Sequence, residues 1–197
     1  MLRAPLLIVV EGIDGSGKTT LVAALKDWIS AQGMIVRASK EPTNGPHGSA
    51  LRASAQGRRL TRDAEMALFI ADRREHVTQL IEPALNDSSI VILDRYYFSN
   101  AAYQGSNAQE AAQIIASNEA FAPRPDLLLI LDLPPATGIG RIRARGDRPN
   151  SFELPETLST AREIFLSFAS SHGAKVIDAS QNVETVFEAS IELIRRS

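Results

Sequence analysis

Gly12-Ile13-Asp14-Gly15-Ser16-Gly17-Lys18-Thr19 fits the pattern G-x-x-x-x-G-K-[ST], and its surroundings give that pattern meaning. Before it runs Leu6-Leu7-Ile8-Val9-Val10, an apolar stretch that reads as a buried strand. After it runs Thr20-Leu21-Val22-Ala23-Ala24-Leu25, which reads as the opening of a helix. Glycines let the backbone curl until successive N–H groups face one point, and the positive end of the helix dipole reinforces them. In such a loop Lys18 reaches β- and γ-phosphates, and the Thr19 hydroxyl ligates Mg²⁺. The strand–loop–helix unit therefore implies a nucleoside-triphosphate site built from Gly12 through Thr20.

Further short apolar runs at 34–38, 89–93, 127–131 and 174–177 join 6–10 as strands, and longer segments of helical period separate them. That alternation predicts an α/β chain of the P-loop NTPase fold: a five-stranded parallel sheet with helices on both faces. Leu21, Ala24, Leu25 and Trp28 make one face of a helix over 21–31. Helices are also expected over 64–85 (closed by Pro83 and Asn86-Asp87), 99–116, 158–170 and 183–194. The proline- and glycine-bearing stretches 41–48 and 146–155 read as mobile loops. At 197 residues the chain suits one domain, 1–197. A net charge of −2 gives no reason to expect nucleic acid or a membrane as partner. The absence of cysteine excludes disulfides and thiolate metal sites. No apolar run approaches a membrane span, and the first strand starts too early for a signal peptide, so a cytoplasmic protein is expected.

Ile90-Val91-Ile92-Leu93-Asp94 is an apolar run ending in a carboxylate, which at the C-terminal edge of a parallel strand lies beside the phosphate loop and can hold Mg²⁺. Asp132 after 127–131 matches the pattern equally well. Asp94 is preferred because Arg95 follows and offers a bidentate partner for phosphate. Phe69 and Arg73, four apart on one helix, could stack on a base and read its carbonyl, although Phe69 could equally be core. Arg141, Arg143, Arg145 and Arg148 precede a proline-broken loop and could surround a migrating phosphoryl group or form a solvated face. Asn100, Tyr103 and Gln104 share one helix face and could read a base edge and a sugar. His47, His76 and His172 show no metal-ligand spacing.

These strings together resemble thymidylate kinase, the dTMP kinase family, nearly end to end. The resemblance rests on Glu11 through Thr20, Lys40-Glu41-Pro42, Leu68-Phe69-Ile70-Ala71-Asp72-Arg73, and Asp94-Arg95-Tyr96-Tyr97-Phe98-Ser99-Asn100-Ala101-Ala102-Tyr103-Gln104-Gly105. Pro125-Asp126-Leu127 through Asp132 and an arginine-rich lid, about 141–155, complete it. It implies transfer of the ATP γ-phosphoryl group to dTMP, with Mg²⁺, in a homodimer paired through helices of the first half. It also implies roles residue by residue. Asp14 bonds the 3′-hydroxyl, Phe69 stacks on thymine, Arg73 bonds its O4 and Asn100 faces the base edge. Tyr103 crowds the 2′ position, and Arg95 grips the acceptor phosphate. Glu41, beside Pro42, organises Mg²⁺ and its waters with Asp94, next to the Thr19 ligand. Arg145 supplies the cation that other members carry in the phosphate loop, with Arg141 beside it, so the chain resembles the bacterial, lid-arginine type.

The 41–49 region departs from the usual bacterial Arg-Glu-Pro-Gly-Gly-Thr…Gly-Glu pattern, with Lys40 leading and Ser49 in place of a carboxylate. A related P-loop kinase with a different nucleotide or small phosphorylated acceptor is therefore the alternative reading. A nucleotide-dependent switch is a third; the chain lacks an Asn-Lys-x-Asp guanine-reading motif.

Overall fold

The computed structural model describes residues 2–57, 60–146 and 154–197. Its strands are β1 (Leu6–Glu11), β2 (Val36–Lys40), β3 (Ile90–Asp94), β4 (Leu127–Asp132) and β5 (Lys175–Asp178). They form one five-stranded parallel sheet in the order β2-β3-β1-β4-β5. Successive strand residues point to opposite faces, yet all of β1 and β3 is buried, so helices cover the sheet on both sides. The edge strands are half-exposed, which is why Arg37, Ser39 and Lys40 are tolerated in β2. That exposure also blurred the β2 boundary: the strand runs two residues later than the apolar run suggests.

The helices are α1 (Lys18–Ser30), α2 (Pro46–Gln56), α3 (Arg62–His76), α4 (Glu82–Asn86), α5 (Tyr97–Gln104), α6 (Ala108–Glu119), α7 (Pro135–Ala144), α8 (Pro155–Ser171) and α9 (Val183–Arg195). Pro83 does not close the long helix as expected. The chain widens into a π-helical turn at Val77–Ile81, and Pro83 then enters the first turn of α4, where a missing N–H costs nothing. The single helix expected over 99–116 is broken at Gly105, where a Cβ would stand 2.6 Å from Ala101 O and 3.0 Å from Ala111 N. Asn107 then caps α6 by accepting from Glu110 N–H (3.0 Å).

Two helices were not expected. α2 takes over the second half of the supposed 41–48 loop, with Pro46 in its first turn. Its inward residues are few, and Gly48 lies so close to Thr43 that a Cβ would meet backbone atoms 2.1 Å and 2.7 Å away. α7 carries Arg141 and Arg143, so the first part of the expected lid is helical; residues 147–153, including Arg148, lie outside the described residues.

Gly138 of α7 backs onto the loop after β1. A Cβ on Gly15 would stand 2.5 Å from Gly138 O, and one on Gly138 would stand 2.6 Å from Asp14 O. Backbone touches backbone there, and only hydrogen fits between. Gly138→Ala must therefore push α7 off the loop, and we expect KM for the nucleoside triphosphate that the loop motif implies to rise about tenfold. Gly140→Ala, with nothing within 4 Å of the added Cβ, is the matched control and should leave KM unchanged.

Candidate active site

β1 lies between β3 and β4, and the ligand crevice of a parallel sheet opens at the C-terminal strand ends. The loop leaving β1 turns at Gly12, Gly15 and Gly17, all with positive φ (138°, 82° and 96°). Gly17 caps α1 with no side chain of its own, so the first N–H groups of α1 stay available to an anion. Lys18 folds back over the loop, its Nζ donating to Gly12 O (3.0 Å) and Ile13 O (2.8 Å). Burial, with the Arg95 charge nearby, brings its ammonium down to about 8, against the pull of Asp14, Asp94 and Glu11. An arriving phosphate relieves that cost. Thr19 Oγ1 donates to Asp94 Oδ2 at 2.5 Å, which joins the loop to the end of β3.

Asp132, the rival strand-end acid, is held by Arg162 of α8: Nε donates to Oδ1 (2.6 Å) and a terminal nitrogen to Oδ2 (2.9 Å). The geometry thus gives different partners to two acids that share the strand-end pattern, of which Asp94 was the one preferred from the sequence. Asp94 faces the phosphate loop and Asp132 closes a helix-to-strand contact.

Arg95, the residue after β3, sits at φ 71°, a left-handed conformation that an arginine adopts at a cost of about 1–2 kcal/mol. Its guanidinium is held at two points. One terminal nitrogen donates to Asp14 Oδ1 (2.5 Å) and the other to Ser99 Oγ (2.9 Å). Tyr103 OH donates to the second Asp14 oxygen (3.1 Å), and the Tyr103 ring lies 5.4 Å from the guanidinium carbon. Burial pushes the Asp14 carboxyl up, but Arg95 and Lys18, with the Tyr103 bond, more than reverse this and leave it below its ordinary value.

A pocket of about 410 Å³ follows the crevice from Gly15, Gly17, Lys18, Thr19 and Thr20 to Phe69, Asn100 and Gln104. Asp14, Glu41, Pro42, Arg73, Asp94, Arg95, Tyr103 and Arg145 also stand on its wall. Gly12, Ile13, Ser16 and Arg141 do not. Ile13 belongs to the core, and Gly12 passes so near Leu131 that a Cβ would stand 2.5 Å from its carbonyl oxygen. Asn100 donates to Met66 Sδ (3.3 Å), which fixes the amide; among the described residues its buried Oδ1 has no hydrogen-bond partner.

The Glu41 backbone N–H donates to Asp94 O (3.1 Å), but its carboxylate is engaged elsewhere. One of its oxygens accepts from Arg73 Nε (2.9 Å) and pairs with a terminal Arg73 nitrogen (2.7 Å); the other faces His76 Nδ1 (3.0 Å). Arg73 is buried and also donates to Asn118 Oδ1 of α6 (2.5 Å). Gln104 Nε2 donates to Glu65 Oε2 (3.1 Å), which fixes the amide at that end of the pocket. The 41–49 segment is clamped from outside. Asp72 accepts from Thr43 N–H (2.8 Å) and its hydroxyl (2.6 Å), while Arg52 donates to Pro42 O (2.9 Å) and Thr43 O (2.6 Å). Ser49, in the place of a carboxylate, accepts from Arg52 (3.2 Å). Of the histidines, His76 also reaches Ser39 Oγ (2.8 Å), and His172 packs edge-on against Phe98 and Phe168.

Glu11, Glu65, Asp72, Ser99 and Asn118 carried no assigned role in the sequence. For Glu11 a signal was present: it ends the apolar run of β1 as Asp94 ends that of β3. The side chain is fully buried, and burial raises its carboxyl to about 7 against bonds from Ser99 and Tyr96 and the Arg95 charge.

A glycine-turned loop before a helix N-terminus, sharing one pocket with Phe69, Asn100 and Gln104, is the build of a P-loop nucleotide kinase. The family model described as thymidylate kinase matches residues 10–190. The thymidylate kinase of Xanthomonas campestris pv. campestris (strain B100) is 53% identical over 181 residues, covering 92% of this chain and 79% of that one. That of Xanthomonas oryzae pv. oryzae (strain PXO99A) is 51% identical over 189 residues (96% and 82%), and that of Xylella fastidiosa (strain M12) 47% over 189 residues (96% and 86%). The chain belongs to the thymidylate kinase family.

Proposed function

We propose that this site transfers the γ-phosphoryl group of ATP to the 5′-phosphate of dTMP, giving dTDP and ADP. Family membership supports the reaction. The observation that carries the residue-level reading is the 2.5 Å bond from Arg95 to Asp14, which seats an acceptor-side cation directly against the donor loop.

The loop N–H groups and Lys18 hold the β- and γ-phosphates of ATP with Thr20 at that end of the pocket, and Arg141 of α7, although off the pocket wall, is a further cation for the donor. Arg95 holds the dTMP phosphate in line. An oxygen of that phosphate, already anionic, forms the new bond to the γ-phosphorus while the bond to the bridging oxygen breaks, so no protein base is needed. Positioning and charge neutralisation do the rest, with Arg145 as the lid cation. Asp14 and Tyr103 meet the sugar, Phe69 stacks on thymine, and the unpartnered Asn100 Oδ1 accepts from the base N3–H. Donors that remain on Arg73 reach O4, and Gln104 with Pro42 closes the recess.

Thr19 and Asp94 are hard oxygen donors that already touch, which suits Mg²⁺. Among the described residues no group of three or more His, Asp or Glu side chains could hold an ion, and Thr19 and Asp94 would hold Mg²⁺ jointly with the nucleotide. Mg²⁺ there would neutralise phosphate charge. Glu41, whose carboxylate also fixes Arg73, stands on the same pocket wall and would organise the waters of the ion. The chain 1–197 acts as one domain in a cytoplasmic homodimer, with Arg145 at the start of the lid expected over about 141–155, of which residues 147–153 lie outside the described residues. Among the described residues no helix is long and apolar enough to cross a membrane.

Coupled ADP-release assays across a panel of nucleoside monophosphates and small phosphates test the acceptor. A preference for dTMP of at least about tenfold over dUMP, dCMP and UMP is expected, since one base group or hydroxyl is worth that much. Equal rates across the panel would overturn the assignment.

A further inference from the structure

We propose that Glu11 is a positioning residue for the acceptor end, acting through the Ser99 hydroxyl to hold Arg95 in its phosphate-gripping orientation. The inference rests on the acceptor-phosphate role given above to Arg95.

Glu11 is the last residue of β1, yet its side chain serves the acceptor side rather than the loop that follows it. Oε1 accepts from Tyr96 N–H (2.7 Å) and Ser99 N–H (3.0 Å), and Oε2 accepts from Ser99 Oγ–H (2.5 Å). It thereby occupies the place of a capping side chain at the start of α5, which has no side-chain cap of its own at Tyr96. The same helix presents Asn100, Tyr103 and Gln104 to the pocket.

Proton direction makes the link to Arg95 specific. A guanidinium can only donate, so Ser99 Oγ must accept from Arg95 (2.9 Å) and send its own proton elsewhere. Glu11 Oε2 receives it. The chain Arg95 N–H → Ser99 O–H → Glu11 O therefore needs an acceptor at its far end. Glutamine cannot serve in both places. With its nitrogen toward Ser99 it offers a donor where an acceptor is required, and with its nitrogen toward the backbone it faces two N–H donors. With the Asp14 bond, Ser99 forms the two-point seat that defines the guanidinium plane, and a plane is what a bidentate phosphate contact needs.

Glu11→Gln, Ser99→Ala, Ser99→Thr, the Glu11→Gln/Ser99→Ala double variant and Arg95→Ala decide it, each with KM for dTMP and KM for ATP measured separately. Glu11→Gln and Ser99→Ala should each raise KM for dTMP about tenfold, the worth of one charge-assisted bond, with KM for ATP within about twofold of the parent. Ser99→Thr, which keeps the hydroxyl, should restore it, and the double variant should match the worse single one because both changes cut one chain. Equal rises in both KM values, or multiplying effects in the double variant, would overturn the proposal. If Glu11→Gln fails to fold, the Ser99 pair alone decides: no difference between alanine and threonine refutes it. Arg95→Ala separates the two readings. If it leaves KM for dTMP unchanged, the acceptor assignment itself fails. If it raises KM while Glu11→Gln and Ser99→Ala do not, only the positioning role fails.

Discussion

Replacing Lys18 with alanine is expected to lower turnover by about 10³-fold while the protein keeps its cooperative melting transition. The magnitude is that of removing one preorganised cation or donor from developing charge in a water-poor site. Lys18 does more than supply charge, since its ammonium spans the Gly12 and Ile13 carbonyls and closes the loop on itself. Without it those carbonyl dipoles point toward the incoming phosphates with nothing to offset them. Affinity for ADP should therefore fall along with kcat, which calorimetric titration of the variant checks. The core should not notice: Leu21, Val22, Leu25 and Ile29 still bury the inner face of α1. Turnover within about tenfold of the parent would contradict the role.

Arg95→Ala should reduce kcat/KM for dTMP by about 10²–10³-fold, combining loss of the phosphate grip with loss of the anchor for Asp14. The backbone conformation lets activity and stability be told apart. Alanine at φ 71° inherits the left-handed strain with none of the contacts that hold arginine there, whereas glycine adopts the conformation freely. Arg95→Gly should thus be as inactive as Arg95→Ala yet more stable by about 1 kcal/mol, read from denaturant unfolding of the pair. Equal stabilities would show that the conformation carries no strain; equal, near-parental activities would remove Arg95 from the acceptor site.

The three central strands were legible because a strand buried on both faces must be apolar at every position, and a run such as Ile90-Val91-Ile92-Leu93 satisfies that rule. The phosphate loop was legible because its chemistry is contiguous. α2 and α7 escaped notice because prolines and glycines, which usually mark loops, serve here in first turns and at close approaches. The break at Gly105-Ser106-Asn107 was readable from its turn residues, although apolar periodicity on either side hid it. What sequence spacing could not supply was the pairing of polar groups far apart in the chain. Glu41 meets Arg73 across 32 positions, and Glu11 meets Ser99 across 88. Neither distance leaves a periodic trace, and so a carboxylate read as a metal organiser sits in an ion pair, while a strand-end acid with no assigned role caps the acceptor helix. Arg95 already favoured Asp94 over Asp132 in the sequence, but the partner that occupies Asp132, Arg162, lies 30 positions beyond it and left no trace there.

The bare backbone contact between Gly15 and Gly138 also limits how this enzyme can be redesigned. Neither position can be varied alone, since a side chain at Gly15 collides with the Gly138 main chain and one at Gly138 collides with Asp14 O. A library randomised at the loop samples damaged proteins unless α7 is translated away by compensating changes at its root, near Pro134 and Pro135. The loop and α7 are therefore heritable only as a pair, and grafting the loop from one relative into another should succeed only when α7 travels with it.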